Sequence, residues 1–587
     1  SIVNIDTLDI NNCNWKSHSI SVDNSIFTLD NGKISNITAQ EGSAGLSASS
    51  CNSIDVSNTI IDSSYSGAHG GMVFYQVKKV NIKNSSFIAN RSVNGGGGIH
   101  VNEVDSLFLY NSTFIADSSQ GGGAVELGGG KYYHLDGNVM ENNYSADGAG
   151  AINLWDNDKV EIFNSKFISN KSVNDGGAIY SWNTDSLFID NSTFNGNEST
   201  DGNGGAMTVK GDTDSPLYCE IKNTTFENNS GNWGGAIAAF EPIDMNMDSV
   251  FATGNEASGN GSFIELCCGA SVSITNSTIY NNETNNNDLN VGDSKLTIKN
   301  SIIWKDKIGG GGATIEVTYS DVEGGFTGTG NIDANPIFCD TINYLIRDTS
   351  PCVGTGENGS NMGARGIGCY RPTSFDWVST ALDTINITQS NLADTYTLQW
   401  SASTDVDGDS INYLLYAQIG VYPAEEISDT TSLSVPITYQ EILEGVFEGR
   451  PVNGATVRFN VKATDGIDTV DVTGDNRVIY VNRYEYLSTE GEGVPVEFAL
   501  HENYPNPFNP TTTLRFDLPE VSDITLTIYN MLGQKVRTFD YQNTSAGYHS
   551  VKWNATNDYG DPVGAGVYLY QLQTKDFVKT RKMVLLK

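Results

Sequence analysis

Val104-Asp105-Ser106-Leu107-Phe108-Leu109-Tyr110-Asn111-Ser112-Thr113-Phe114 recurs as Thr184-Asp185-Ser186-Leu187-Phe188-Ile189-Asp190-Asn191-Ser192-Thr193-Phe194, with a weaker copy at Ile5–Trp15. Apolar and polar residues alternate up to an Asn, and an aromatic follows three residues later. With that Asn as anchor, units fall at Asn12, Asn36, Asn58, Asn84, Asn111, Gly137, Asn164, Asn191, Asn223, Asp248, Asn276 and Asn300, 22 to 32 residues apart and about 26 on average. A second signal keeps the same phase, as in Gly122-Gly123-Ala124-Val125, Gly150-Ala151-Ile152, Gly176-Gly177-Ala178-Ile179 and Gly204-Gly205-Ala206-Met207. Period-two alternation with β-branched and aromatic residues predicts short strands, and nothing here sustains a helical period. Recurrence at a fixed length marks a stacked repeat. About 26 residues make one turn of a coil with three short strands, so a parallel β-helix is expected, with equivalent positions about 4.8 Å apart.

Stacking accounts for the residue types. Asn side chains at one position can ladder by amide hydrogen bonds. Phe87, Phe114, Phe167, Phe194 and Phe226 are expected to form an internal column. Gly pairs permit positive φ at corners. Only Pro216, Pro242 and Pro336 precede residue 340, as expected where nearly every backbone N–H pairs with the next turn. Antiparallel sandwiches do not produce one fixed phase. Because Ile5–Trp15 already fits the repeat, the first turn is read as uncapped, and either preceding residues or a second copy of the chain is expected to cover it. Head-to-tail contact of that kind builds filaments when it does not close.

Composition narrows the functional classes. Gly is 62 of 587 residues and Pro 14, which describes a folded chain with many tight turns. Lys and Arg number 33 against 70 Asp and Glu, a net charge of −37, which argues against nucleic acid and anionic membranes as partners. No apolar run approaches the ~18 residues of a bilayer crossing, so no membrane insertion is expected. The chain opens at Ser1 without an initiator Met, which reads as a processed or incomplete product. Eight cysteines, all before residue 370 and without CxxC pairs, point to an oxidising, extracytoplasmic compartment; they allow 105 pairings and none is assigned, with Cys352 and Cys369 a candidate local bridge.

The pairs Phe87/Asn90, Phe167/Asn170, Phe194/Asn197 and Phe226/Asn229, together with Gly-Gly-Ala-Ile, resemble the repeats of chlamydial polymorphic outer-membrane proteins. More broadly, residues 1–371 resemble right-handed parallel β-helices of the pectate-lyase-like superfamily. Asn331–Phe338, Ser350–Gly354 and Asn361–Ala364 are similar to the closing segment of bacterial members. The resemblance implies fold far more than activity.

After Tyr370-Arg371-Pro372 the repeat stops. Residues 372–483 carry short alternating strands, such as Tyr396–Trp400 and Thr456–Val461, and resemble a fibronectin type III-like β-sandwich. Asp405-Val406-Asp407-Gly408-Asp409 offers three carboxylates to Ca2+, the one cofactor suggested, but lacks the downstream Glu of an EF-hand, and an acidic turn explains it as well. Residues 484–497, with Gly491-Glu492-Gly493, read as a linker. Residues 498–587 begin with a proline-rich lead-in, Asn503–Pro510, expected to be rigid and extended. They closely resemble the type A C-terminal sorting domain of type IX secretion substrates. That resemblance implies an Ig-like sandwich, a sorting signal over Gly533, Gly566, Lys582, Met583 and Val584, the type IX machinery as partner, and a secreted or cell-surface location in a Bacteroidota-like bacterium. The expected fold class is all-β: a right-handed parallel β-helix followed by two β-sandwich domains.

Chemistry is sparse. Uronate elimination needs a basic residue and a cation, yet Arg91 is the only arginine before residue 347. Hydrolysis of a neutral glycan needs carboxylates on neighbouring turns. Asp147, Asp175 and Asp201 precede glycine corners and could cluster on one edge, although Asp before Gly is also a common turn former. The six histidines share no repeat phase, and no nucleophile elbow or phosphate loop occurs. The reading is therefore an extracellular adhesion or structural protein, with a carbohydrate-binding or carbohydrate-active helix as the alternative. Tyr132, Tyr133, Trp155, Trp182 and Trp233 are aromatics that could stack on surface glycans, although local packing as a loop residue is the better reading of any single one.

Overall fold

The structure, a computed structural model, describes the chain except residues 17–18, 213–215, 285, 380–382, 448–452, 488–493 and 587. It divides into two compact units, Ser1–Cys369 and Tyr370–Lys587. No helix among the described residues is long and apolar enough to cross a membrane.

The first unit is a parallel β-helix with four strands per full turn, one more than the sequence suggested. Among the described residues four sheets run along it, with 13, 13, 10 and 12 strands. Sheet 1 starts at Ile2–Ile5, sheet 2 at Leu8–Asn11, sheet 3 at Asn14–Trp15 and sheet 4 at Ile20–Asp23. The extra sheet consists of two-residue strands such as Ser118–Ser119 and Lys171–Ser172, too short to show alternation.

In the turn that begins at Ser106, Leu107 and Leu109 of strand Ser106–Tyr110 face the core while Ser106, Phe108 and Tyr110 face outward. Asn111 turns the chain into strand Thr113–Ile115 with φ 47°. Every anchor takes this left-handed conformation except Asp248, where Ser249 does (φ 57°), so the corner sits one residue later than the sequence pattern placed it. Phe87 and Phe114 stack at 4.6 Å, Phe167 and Phe194 at 4.6 Å, and Phe194 and Phe226 at 4.9 Å. Met140 fills the rung between Phe114 and Phe167.

The continuous ladder is not made by the anchors, which mostly donate to an Asp or Asn on the preceding turn, as Asn191 Nδ2 does to Asn164 Oδ1. It is made by the residue three after the inward residue of successive sheet 2 strands, Asn on most rungs and Asp117 after Phe114. Nδ2 of Asn143, Asn170, Asn197, Asn229 and Asn255 each donates to the next member's Oδ1 at 2.7–3.0 Å, all of them buried. Nδ2 of Asn143 also donates to the Phe114 carbonyl at 3.0 Å, so each rung satisfies a backbone group that the corner leaves free. The glycine pairs do two jobs. Gly176 has φ 74°, but a Cβ on Gly177 would lie 1.9 Å from the Gly205 carbonyl oxygen, so close backbone approach, not φ, requires the second glycine.

Residues after Val322 fold back along the outer face of sheet 2. Gly363 N–H donates to the Asn300 carbonyl, Ala364 N–H to Thr278 Oγ1, and the Arg365 guanidinium lies over Phe251. The candidate Cys352–Cys369 bridge is not formed. Cys369 pairs with Cys339, and Cys267 with its neighbour Cys268. Cys352 is buried with Ile302, Ile346 and Met362 and donates its thiol to Asp321 Oδ2 at 3.1 Å. Cys369 is held beside Ile346–Arg347, where it meets Cys339.

In the second unit, strands Gly454–Thr464, Asn412–Ile419, Arg477–Asn482, Asp383–Asn386, Glu425–Thr430 and Thr469–Asp471 form one sheet, and Thr395–Gln399 pairs with Ser434–Thr438. Trp377, Trp400, Tyr413 and Phe459 fill the core. A helix absent from the sequence reading, Tyr439–Phe447, starts from a capping box: Glu441 N–H donates to Thr438 Oγ1, and Thr438 N–H to Glu441 Oε2. The expected linker opens with a helical turn, Tyr484–Leu487; its Gly491-Glu492-Gly493 lies outside the described residues. The final domain has a three-stranded and a four-stranded sheet around Phe516, Leu526, Trp553, Tyr570 and Met583. Its proline-rich lead-in docks on the last strand, with Phe508 N–H donating to the Val584 carbonyl and Leu586 N–H to that of Phe508, which covers an open edge.

Candidate functional site

Outward positions of sheet 4 stack in register. One column runs His100, Glu126, Asn153, Tyr180, Thr208. Two residues along each strand, a second column runs Gly128, Trp155, Trp182, Lys210. The loops entering these strands form the opposite wall. Asp147 Oδ1 accepts from Asn174 Nδ2 at 2.7 Å. Asp175 Oδ1 accepts from the Asn203 backbone and side chain at 2.8 and 2.9 Å, and its Oδ2 pairs with Lys210 Nζ at 2.7 Å.

Floor and loops enclose an open groove of about 680 Å3 whose lining includes Glu126, Asp147, Asn153, Asp175, Tyr180 and Asp201. The three aspartates singled out from sequence thus meet along one groove. Trp182 is 45% exposed beside it, and Trp233, 49% exposed, occupies on the next turn the loop position of Asn203. Trp155 Nε1 donates to Glu126 Oε1 at 3.1 Å. Tyr133 is no surface residue: it is fully buried, with its hydroxyl donating to the Gly128 carbonyl at 3.0 Å. Tyr132 lies on sheet 1, away from the groove, and donates to Glu161 Oε2 at 2.6 Å.

Glu126, Asn153 and Tyr180 were missed by sequence reading. The signal was present: each is the second strand residue after the glycine-rich entry, following Val125, Ile152 and Ile179, where alternation turns a side chain outward. Burial pushes the Glu126 carboxyl up, against the hydrogen bond from Trp155, and likewise raises the Tyr180 hydroxyl. Burial, followed by the neighbouring His69, drives His100 down to about 3, so its imidazole is neutral.

In the second unit, Asp405, Asp407 and Asp409 place one ligand oxygen each within 4.8 Å of the others. Asp405 Oδ1 accepts from the backbone N–H of Asp407 and Gly408, while its Oδ2 is buried with no hydrogen-bond partner. This all-oxygen donor set with one orphaned acceptor suits a hard cation such as Ca2+. Among the residues implied for sorting, Gly533 (φ 76°) closes the turn after Asn530, Gly566 opens strand Gly566–Gln573, Met583 is in the core, and Lys582 is exposed.

Residues 506–576 match the FlgD Ig-like domain family. No curated protein matches the chain. Among solved structures, dimeric latent PorU from Porphyromonas gingivalis is similar at 14% identity and TM-score 0.14, over 38% of this chain and 22% of PorU. Chicken CNTN1 FN1–FN3 domains are similar at 11% identity and TM-score 0.14, over 38% of this chain and 67% of that one. The chicken interferon gamma receptor alpha chain is similar at 9% identity and TM-score 0.11, over 37% of this chain and 100% of that one. At such scores these likenesses carry no functional argument; the terminal sandwich is an Ig-like fold.

Proposed function

We propose that this protein is an extracellular or cell-surface adhesin of a bacterium, whose β-helix binds a glycan chain lengthwise in the sheet 4 groove. The observation that carries the reading is the groove itself: carboxylates and amides from neighbouring turns converge in about 680 Å3, and Trp182, two residues along the strand from the lining residue Tyr180, is 45% exposed. A pyranose offers hydroxyls to planar polar groups and C–H faces to aromatic rings, and stacked turns repeat those partners along a polymer. Export by type IX secretion is part of the reading, supported by the resemblance of residues 498–587 to sorting domains and by their compact sandwich. The test is a glycan panel probed with the full chain. Binding that Trp182→Ala weakens about tenfold without changing the melting temperature is the expected result; no binding to any glycan would sink the reading.

A further inference from the structure

Sheet 3 carries a second hollow, which shares only Gln120 with the groove. The first residue of each two-residue strand stands outward there, and these residues stack in register as Tyr65, Arg91, Ser118, Tyr144 and Lys171. Ser118 is small between two long side chains, so a notch of about 490 Å3 opens at its rung. The end walls, Arg91 and Tyr144, stand two turns apart, about 10 Å at the usual strand spacing. That width and volume admit one monosaccharide rather than a run of them. Tyr144 is 41% exposed and lines the notch, so its ring is open to a ligand there.

Notch and groove differ in charge. The groove lining holds Glu126, Asp147, Asp175 and Asp201, whereas the notch lining holds Arg91 and no carboxylate. Arg91 is the only arginine before residue 347, in a chain with 70 Asp and Glu, yet among the described residues no ion pair or hydrogen bond engages its guanidinium. Lys171, next on the column after Tyr144, is by contrast paired with Glu198 at 2.9 Å. The Ser118 hydroxyl, the Gln120 amide and the Tyr144 hydroxyl are unengaged as well, so donors from three turns line one hollow. A free guanidinium is a planar fork that matches a carboxylate through two parallel N–H···O bonds. At physiological salt, charges beyond about 8 Å are largely screened, so the lining outweighs the net charge of −37.

We propose that the notch binds the terminal sugar acid of an otherwise neutral glycan, with Arg91 taking the carboxylate, Ser118 and Gln120 the hydroxyls, and Tyr144 stacking on the sugar face. A neutral sugar leaves the guanidinium without a counter-ion. A polyuronate brings a carboxylate at every residue to a single arginine, and the remainder meet an acidic surface. A terminal acid brings one carboxylate at the end of its chain, where the notch has to admit nothing further. The site is separate from the groove and does not depend on the glycan reading of it.

The test titrates 3′-sialyllactose, lactose, trigalacturonate and a short peptide ending in a free carboxylate into the full chain, by calorimetry at neutral pH and physiological salt. The expected result is at least tenfold tighter binding of the sialylated sugar than of the other three. That preference should be lost in Arg91→Ala and also in Ser118→Tyr, which fills the notch and leaves the arginine in place. Arg91→Lys keeps the charge without the fork and should weaken binding at least threefold, whereas Trp182→Ala should leave it unchanged. Equal binding of 3′-sialyllactose and lactose overturns the acid site, and so does a preference that survives in Arg91→Ala. Trigalacturonate binding as tightly overturns the restriction to a terminal acid, and tighter binding of the peptide overturns the sugar. A preference that stands beside a blank panel of neutral glycans supports the notch and sinks the groove reading alone.

Discussion

Asp117 occupies a rung of the amide ladder. Its Oδ1 accepts from Asn90 N at 2.7 Å and Asn90 Nδ2 at 3.0 Å, as an Asn oxygen would, and its own N–H donates to Asn143 Oδ1 at 2.9 Å. Where every neighbouring rung carries an Nδ2 donor, Asp117 carries Oδ2, fully buried and without a partner. Burial raises this carboxyl well above its ordinary value, with Asp62 adding to the rise and the Asn90 hydrogen bonds opposing it. An unfolded Asp titrates near 3.9. Since the folded value is higher, the contribution to stability is complete below that pH and is lost as pH climbs toward the folded value. Asp117→Asn restores the missing donor and should stabilise the helix by about 1–3 kcal/mol at pH 7, with a smaller gain at pH 4. Denaturant unfolding at the two pH values checks this; a larger gain at pH 4 would contradict it. The converse change, Asn170→Asp, should destabilise more at pH 7 than at pH 4.

At the scale of elements, the Phe column and the amide ladder run side by side through sheet 2 and its corner. Phe194 is fully buried between Phe167 and Phe226, so Phe194→Ala should cost about 3–5 kcal/mol in unfolding free energy, a cavity that stacked turns cannot collapse to fill. The Asp405–Asp409 turn belongs to the other unit and gives a separate expectation. Calcium should raise the melting temperature of the second unit relative to chelator, and Asp407→Asn should remove that rise; calorimetric scans of the full chain that superimpose with and without calcium would refute the site. Why Cys352 is a free thiol is also an element-scale matter. Pairing follows which backbone segments lie side by side, and Asp321 on the last rung of sheet 2 supplies Cys352 with an acceptor instead.

At the scale of the whole molecule, export is open to test: a chain lacking residues 498–587 should stay in the periplasm of a type IX-competent host, while the full chain reaches the surface. Equal surface amounts of both, by whole-cell immunoblot, would remove the sorting reading.

The sequence alone determined the stacked architecture, because a parallel β-helix writes its period directly into the chain. Anchors, phenylalanines and glycine pairs recur since each must meet its own copy one turn on. It also marked Asp147, Asp175 and Asp201, just before the glycine corners of nearby turns, as candidates to share one edge, whereas the capping box of Thr438 and Glu441 that starts the helix at Tyr439 was present in it but went unread. The number of sheets escaped it, because two-residue strands have no readable alternation. So did the identity of the laddering Asn, because anchor and ladder positions carry the same residue type and differ only in burial. Tertiary structure alone decided the disulfides, the burial of Tyr133 and the groove floor. Those depend on which side chains stand outward on adjacent turns and which polar atoms are left unpaired once the backbone is satisfied, and neither is fixed until the turns are stacked.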